Sequence, residues 1–110
     1  DAGTVAFTTE GPGLWSRIEL LLAVAADGKS LYGMRVLSQA ETPGLGGRIE
    51  EPGFQARFRG VSIRPALRVV KFASAPTDVD AITGASKTSE AVGLIINSAV
   101  RRFDRDFGRE

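Results

Sequence analysis

The stretch from Arg17 to Ser38 constrains the fold most, because two apolar-rich segments flank a single turn signal. The first segment, RIELLLAVAA, has the two-residue period of a strand and places on one face Ile18, Leu20, Leu22 and Val24. The second, SLYGMRVLS, places Tyr32, Met34 and Val36 on one side, with Leu31 and Leu37 on the other. Asp27-Gly28 between them suits a tight turn. The sequence therefore predicts an antiparallel hairpin, with a bulge or a close approach near Gly33.

Further short elements are predicted on either side of the hairpin. Alternating apolar residues indicate a strand over Thr4–Thr9, after which Gly11-Pro12-Gly13 turns the chain. A helical turn over Phe54–Gly60 would place both of its phenylalanines on one side. Leu67–Phe72 is another strand candidate, and we interpret Ala73–Asp80 as a polar connection.

A long C-terminal helix completes the predicted architecture. From Ser86 to Phe107, apolar residues recur at three- and four-residue spacing, which gives one core-facing stripe of Val92, Ile95, Ile96, Ala99, Val100 and Phe103. We therefore expect one α+β domain over residues 1–110, a twisted antiparallel sheet with the C-terminal helix packed on it.

Composition excludes several classes of function. The chain has no cysteine and no histidine, which removes thiol chemistry, Ser-His-Asp catalysis and the usual zinc sites. A formal charge of +1 gives no reason to propose nucleic acid as a partner. The opening residues, DAGTVAFTTE, match neither a signal peptide nor a membrane span. Since no initiator methionine is present, we expect an excised or processed part of a longer protein.

The stretch DAITGASKTSEAV, from Asp80 to Val92, has the composition of an anion-binding helix start. Gly84 and Ala85 lie among hydroxyl side chains at Thr83, Ser86, Thr88 and Ser89. Small residues let a ligand approach the backbone, and the N–H groups at a helix start favour a phosphate. Serine and threonine also cap helices well, so local composition alone favours an ordinary capped helix.

Two glycine-rich segments precede this stretch. They are GPGLW, from Gly11 to Trp15, and ETPGLGG, from Glu41 to Gly47, in which Pro43-Gly44 suits the centre of a type II turn. A tryptophan beside a turn is most often a core anchor, so we expect Trp15 to be buried. The alternative is that its ring forms a wall for a flat aromatic ligand.

These three motifs resemble, in the same order, those of the FMN-binding domain family, known from the FMN-carrying subunits of Na+-translocating NADH:quinone reductase and of the Rnf electron transport complex. GPGLW is similar to the family's Gly-x-Gly-Leu-Trp, ETPGLGG to its Glu-Thr-Pro-Gly-Leu-Gly, and TGAS to its attachment element Ser/Thr-Gly-Ala-Thr. The resemblance covers nearly the whole chain. Ser86 stands where the family usually has threonine, and it keeps the hydroxyl group.

The resemblance implies that the Ser86 hydroxyl carries FMN covalently through a phosphoester, with Thr88 as the less favoured acceptor. It assigns to the phosphate end Ser86, Thr83, Gly84, Ala85, Lys87 and Thr88. It places the ring against Trp15 and Leu45, with Glu41 and Thr42 as polar contacts, and it also includes Gly46 among the cofactor-binding residues. It implies no catalytic residue and no resident metal.

The resemblance also implies partners and a location. A flavin transferase using FAD and Mg2+ would modify the chain and release AMP, and neighbouring redox subunits of a membrane complex would exchange electrons with it. The location would be the extracytoplasmic, periplasmic side of the bacterial cytoplasmic membrane. The domain is then an electron relay that turns over no organic substrate. Two alternatives stay open: a noncovalent FMN-binding or interaction module, and an electron-delivery domain of a larger reductase.

Overall fold

The predicted hairpin lies within a three-stranded antiparallel sheet in the computed structural model, which describes residues 3–106. Strand β2 (Arg17–Val24) pairs with β1 (Val5–Pro12) on one side and with β3 (Leu31–Ser38) on the other. The predicted inner face of β2 is completely buried, as its alternation requires: Ile18, Leu20, Leu22 and Val24. This face is the centre of the hydrophobic core.

The C-terminal helix covers the sheet. Among the described residues it runs from Ser86 to Asp106, and the end predicted at Phe107 lies outside them. Each residue of the predicted stripe is at most 4% exposed: Val92, Ile95, Ile96, Ala99, Val100 and Phe103. The ring of Phe103 stacks on that of Phe7 in β1, with centroids 5.7 Å apart. The predicted α+β class, with this helix packed on an antiparallel sheet, is confirmed.

Strand β1 extends further than predicted. Gly11 and Pro12 still pair with β2, so the prediction that Gly11-Pro12-Gly13 turns the chain was wrong. The turn lies at Gly13–Ser16, where the Gly13 N–H donates to the Ser16 carbonyl at 2.7 Å. Gly11 is required by packing, since a Cβ there would lie 2.7 Å from Ile95 Cγ1 on the C-terminal helix.

Strand β3 contains an irregularity beside Gly33. Gly33 pairs with Ala23 and Leu31 with Val24, so Tyr32 is the extra residue of a bulge. The bulge places both Leu31 and Met34 in the core and leaves Tyr32 half exposed. The bulge is confirmed near its predicted position, but the side predicted for Tyr32 was wrong because a bulge reverses the alternation that follows it.

The middle of the chain forms small elements around this sheet. A 3-10 helix (Gly46–Glu50) leads into helix α1 (Pro52–Ala56). The helical turn predicted over Phe54–Gly60 lies earlier, because α1 ends at Ala56 and residues 57–60 form a turn. Phe54 and Phe58 are nevertheless both buried, with their rings edge to face. Strand β4 (Arg68–Val70) then pairs in parallel with β5 (Asp78–Asp80). The last three residues of the predicted connection are therefore a strand, which leads into the C-terminal helix, α2 (Ser86–Asp106).

The loop between β4 and β5 is organised by one buried carboxylate. The side chain of Asp78 is inaccessible to solvent and pairs with the Arg68 guanidinium at 3.0 Å. It also accepts the N–H groups of Ser74 and Ala75, each at 3.1 Å. The Arg68 hydrogen bond and these N–H donors hold the pKa of Asp78 well below the usual value, although burial opposes the shift.

Candidate functional site

The three sequence motifs meet at the carboxylate of Glu41, which is 3% exposed. One oxygen, Oε1, accepts the Leu14 N–H and the Thr88 hydroxyl, both at 2.9 Å. The other, Oε2, accepts the N–H groups of Trp15 and Ser16 at 3.0 and 2.8 Å and the Ser16 hydroxyl at 2.6 Å. Glu41 therefore joins the turn after β1 to the first turn of α2, although these segments are far apart in sequence.

The hydrogen bonds keep Glu41 ionised inside the protein. Burial raises the pKa of this carboxyl, whereas the bonds from Ser16, Thr88, Trp15 and Leu14 lower it. The lowering prevails, so the pKa of Glu41 lies below the ordinary glutamate value. A buried charge is tolerated when its lone pairs are satisfied in this way.

Two glycines let these segments approach the carboxylate. A Cβ at Gly46 would lie 2.5 Å from Thr88 Oγ1 and 2.9 Å from Glu41 Cβ. A Cβ at Gly13 would lie 3.0 Å from Glu41 Oε1. Each motif thus contributes a glycine or a hydroxyl to the same close-packed junction, and this explains why small residues occur in all three.

Helix α2 begins at a tight turn. The Ala85 N–H donates to the Ile82 carbonyl at 2.9 Å, and Gly84 has φ +83°, as the third position of a type II turn requires. The buried Ser89 hydroxyl accepts the Ile82 N–H at 3.1 Å and donates to the Ala85 carbonyl at 2.8 Å. This hydroxyl fixes the turn against the helix, whose first N–H groups have no acceptor within the helix.

The hydroxyl groups of the stretch from Asp80 to Val92 are of two kinds, buried and exposed. Thr88 is 2% exposed and Ser89 is fully buried, and both donate hydrogen bonds inside the protein. Ser86 and Thr83 are exposed. Ser86 is the first residue of α2 and is followed by the exposed Lys87, so its hydroxyl lies on the surface beside a positive charge and the helix N-terminus.

A shallow depression of about 160 Å3 lies between the helix start and the two glycine-rich loops. Its rim includes three exposed apolar side chains: Leu14 at 49%, Trp15 at 73% and Leu45 at 52%. The expectation that Trp15 is a core anchor was wrong. Its backbone N–H is held by Glu41, and the neighbouring turn directs the ring outward rather than into the core.

Most of the predicted site residues line this depression: Trp15, Thr42, Leu45, Gly46, Gly84, Ala85, Ser86, Lys87 and Thr88. Thr83 and Glu41 do not. Thr83 lies in the turn before the helix, and its carbonyl accepts the Arg48 guanidinium at 3.2 Å. Glu41 is buried with its carboxylate engaged in hydrogen bonds inside the protein, so its contact with a flavin ring stays a prediction. The predicted Pro43-Gly44 turn is confirmed by a 3.0 Å bond from Leu45 N–H to the Thr42 carbonyl and by φ +77° at Gly44.

Sequence reasoning missed Leu14 and Ser16. Leu14 lines the depression, and Ser16 supplies both an N–H and a hydroxyl to Glu41. Leu14 could have been identified as a site residue from the sequence, because it belongs to the GPGLW motif. Ser16 lies just outside that motif, and nothing local distinguishes it from an ordinary turn serine.

The described residues give no indication of a metal centre or of a membrane span. Between residues 3 and 106 no cluster of three or more metal-ligating side chains occurs. In the same range no helix has the length and hydrophobicity to cross a bilayer.

Comparison with known proteins identifies similar chains. The model of the FMN-binding domain family matches residues 13–101. The chain is 40% identical over 90 residues to a subunit of the Na(+)-translocating NADH-quinone reductase of Vibrio anguillarum, and 43% identical over 89 residues to the equivalent subunit of Pasteurella multocida. Each alignment covers 74% of this chain but only 35% and 34% of the relative. The chain therefore spans about a third of the length of these curated relatives.

Solved structures show the same fold. NqrC of Shewanella oneidensis superposes with a TM-score of 0.82 at 28% identity, over 88% of this chain and 48% of that one. A subunit of the Na(+)-translocating NADH-quinone reductase of Parabacteroides distasonis gives 0.77 at 30% identity, over 88% of this chain and 53% of that one.

Proposed function

This chain belongs to the FMN-binding domain family, and we propose that it carries FMN through a phosphoester on Ser86 and relays electrons in a membrane-associated redox complex. The observation that supports this most directly is the placement of one exposed alcohol, at the first residue of a long helix, on the rim of the depression where all three family motifs meet. Phosphate at such a position is favoured by the helix dipole and by free N–H groups.

The residues around the depression fit the two ends of FMN. Ser86, Lys87 and the first N–H groups of α2 suit a phosphate, and the apolar rim suits a flat ring. Pockets that enclose a small ligand usually have volumes of about 300 Å3 or more. The depression is about half that size at about 160 Å3, so a flavin held here would keep much of its ring at the surface.

Accessibility favours Ser86 over Thr88 as the acceptor. An alcohol that attacks a phosphorus atom must reach the active site of the transferase. The Thr88 hydroxyl is buried and already donates its proton to Glu41, whereas Ser86 is exposed. Modification of Thr88 would break a hydrogen bond to a buried charge, which costs about 1.5–3 kcal/mol.

The modification is a phosphoryl transfer that the partner transferase catalyses. The Ser86 oxygen would form a bond to the flavin-side phosphorus of FAD, and the bond from that phosphorus to the bridging oxygen would break. AMP leaves with the bridging oxygen, and the serine proton passes to a base on the transferase or to water. Mg2+ on the transferase would neutralise the pyrophosphate.

Once bound, FMN supplies one- and two-electron redox chemistry. This chain contributes a tether, a phosphate site and an open face that lets a partner approach closely. The relatives bear the name of a quinone reductase subunit, which supports redox subunits as partners. We place the domain on the extracytoplasmic face of the cytoplasmic membrane, which a reporter fusion of the full-length protein would test.

Intact mass tests the covalent bond. Chain produced with a flavin transferase should gain the mass of FMN less one water, and the flavin absorbance should persist after denaturation and desalting. Ser86→Ala should abolish both signals, whereas Ser86→Thr should keep them. An unmodified wild-type chain that still binds free FMN would indicate a noncovalent module. An adduct that persists in Ser86→Ala would exclude Ser86 as its site.

A further inference from the structure

The bond between Thr88 and Glu41 links the two sides of the depression. Thr88 lies two residues after Ser86 in the first turn of α2, and its hydroxyl reaches Glu41 Oε1 at 2.9 Å. The opposite oxygen of the same carboxylate holds the N–H groups of Trp15 and Ser16 on the apolar rim. A single buried carboxylate thereby sets the position of the helix start relative to the loop across from it.

We propose that Glu41, acting through Thr88, is a positioning residue for the modification of Ser86. The inference rests on the function proposed above, because it concerns the alcohol that accepts the flavin phosphate. Ser89 fixes the helix start only against its own preceding turn. Arg48 adds a second tie, through the Thr83 carbonyl, from an exposed side chain. The Thr88 hydroxyl, by contrast, is buried and connects the helix start through Glu41 to the loop that carries Trp15.

Position affects the rate of such a transfer strongly. An attacking alcohol must lie in line with the bond that breaks, and a misplacement of about 1 Å can reduce a rate by about 100-fold. Thr88 is 2% exposed, so it is inaccessible to a docking transferase. Loss of its hydroxyl should therefore lower kcat and leave the KM for the protein substrate nearly unchanged.

Asn97 offers a matched control on the same helix. Its side chain accepts the Leu67 N–H at 3.0 Å and donates to the Leu67 carbonyl at 2.9 Å, and it does not line the depression. Asn97→Ala therefore removes hydrogen bonds from α2 while the bond between Thr88 and Glu41 stays in place. If only stability mattered, Asn97→Ala and Thr88→Val would impair modification alike.

The experiment measures initial rates of flavin incorporation into the purified, unmodified chain. The chain is incubated with a flavin transferase, FAD and Mg2+ at a temperature where circular dichroism shows every variant folded. We expect Thr88→Val to lower kcat by about 10- to 100-fold, and Thr88→Ser and Asn97→Ala to keep the wild-type kcat. If Thr88→Val does not fold, Thr88→Ala replaces it with the same expectation.

The outcomes separate this inference from the function on which it rests. Wild-type kcat in Thr88→Val, or an equal loss in Asn97→Ala, contradicts the positioning role while the carrier function stands. A loss that appears only as a higher KM also contradicts it, because that result would place Thr88 in the docking surface. A wild-type chain that the transferase never modifies overturns both.

Discussion

Replacing Glu41 with glutamine tests whether the three motifs depend on one charge. A carboxamide has one oxygen and one NH2 group, so it cannot accept at both Oε1 and Oε2. The less costly orientation puts the NH2 at the Oε1 position, where the Thr88 hydroxyl can turn to accept but the Leu14 N–H loses its acceptor. The reverse orientation would oppose the N–H groups of both Trp15 and Ser16.

The cost follows from these contacts. A hydrogen bond to a charged group contributes about 1.5–3 kcal/mol and a neutral one about 0.5–1.5 kcal/mol. Glu41→Gln loses the bond to Leu14 and weakens the remaining bonds, and the easier burial of a neutral amide offsets part of that. We expect the free energy of unfolding to fall by about 2–4 kcal/mol. At about 4 °C per kcal/mol for a domain of this size, Tm should fall by about 8–16 °C.

Urea unfolding followed by far-UV circular dichroism measures this change. The midpoint should fall while the m-value stays constant, because the folded core is unchanged. Glu19→Gln is the control, since Glu19 is exposed on the outer face of β2. Its effect should stay within about 0.5 kcal/mol. If both substitutions cost the same, the carboxylate does not join the motifs and the reasoning fails.

Three further predictions concern Gly46 at this junction, Asp78 in the loop between β4 and β5, and Trp15 on the rim of the depression. Gly46→Ala places a Cβ 2.5 Å from Thr88 Oγ1, so the free energy of unfolding should fall by about 1–3 kcal/mol in the same assay. Gly53→Ala is the control, because open space surrounds its Cβ and no loss from crowding is expected. The pKa of Asp78 in the folded protein is depressed, so its contribution to stability is fully present above the ordinary carboxyl pKa of about 4 and is lost as the pH falls towards the folded value. Asp78→Asn should therefore make Tm fall less steeply as the pH is lowered below about 4. An unchanged slope of Tm against pH would count against the pairing with Arg68. Trp15→Ala should alter stability by less than about 0.5 kcal/mol because the ring is 73% exposed, and a large loss would mean that the ring packs in the core.

The sequence predicted those parts of the fold that depend on periodicity. The buried face of β2 and the stripe on α2 follow directly from the spacing of apolar residues. Each repeat of the spacing indicates the same element and the same buried face, so the repeats reinforce one another. The turn at Pro43-Gly44 also follows from local chemistry, since φ > 0 favours glycine.

Features set by distant neighbours were missed. Strand β5 has only three residues and is defined by its pairing with β4, so no local alternation identifies it. The outward direction of Trp15 depends on Glu41, which is 26 residues away in sequence. The burial of the Thr88 hydroxyl depends in turn on Glu41, 47 residues before Thr88. Site residues could be named from the motif resemblance, but their separate roles needed the tertiary contacts.

The long sequence separations at Glu41 also affect when the proposed flavin site forms. Contacts between distant parts of a chain must overcome loop-closure entropy, so they form more slowly than local contacts. A synthetic peptide covering residues 80–92 would contain the proposed acceptor alcohol but lack the opposite loop that completes its surroundings. The proposed acceptor, Ser86, therefore reaches these surroundings only once Thr88 contacts Glu41, and a nascent chain that still lacks α2 also lacks Ser86.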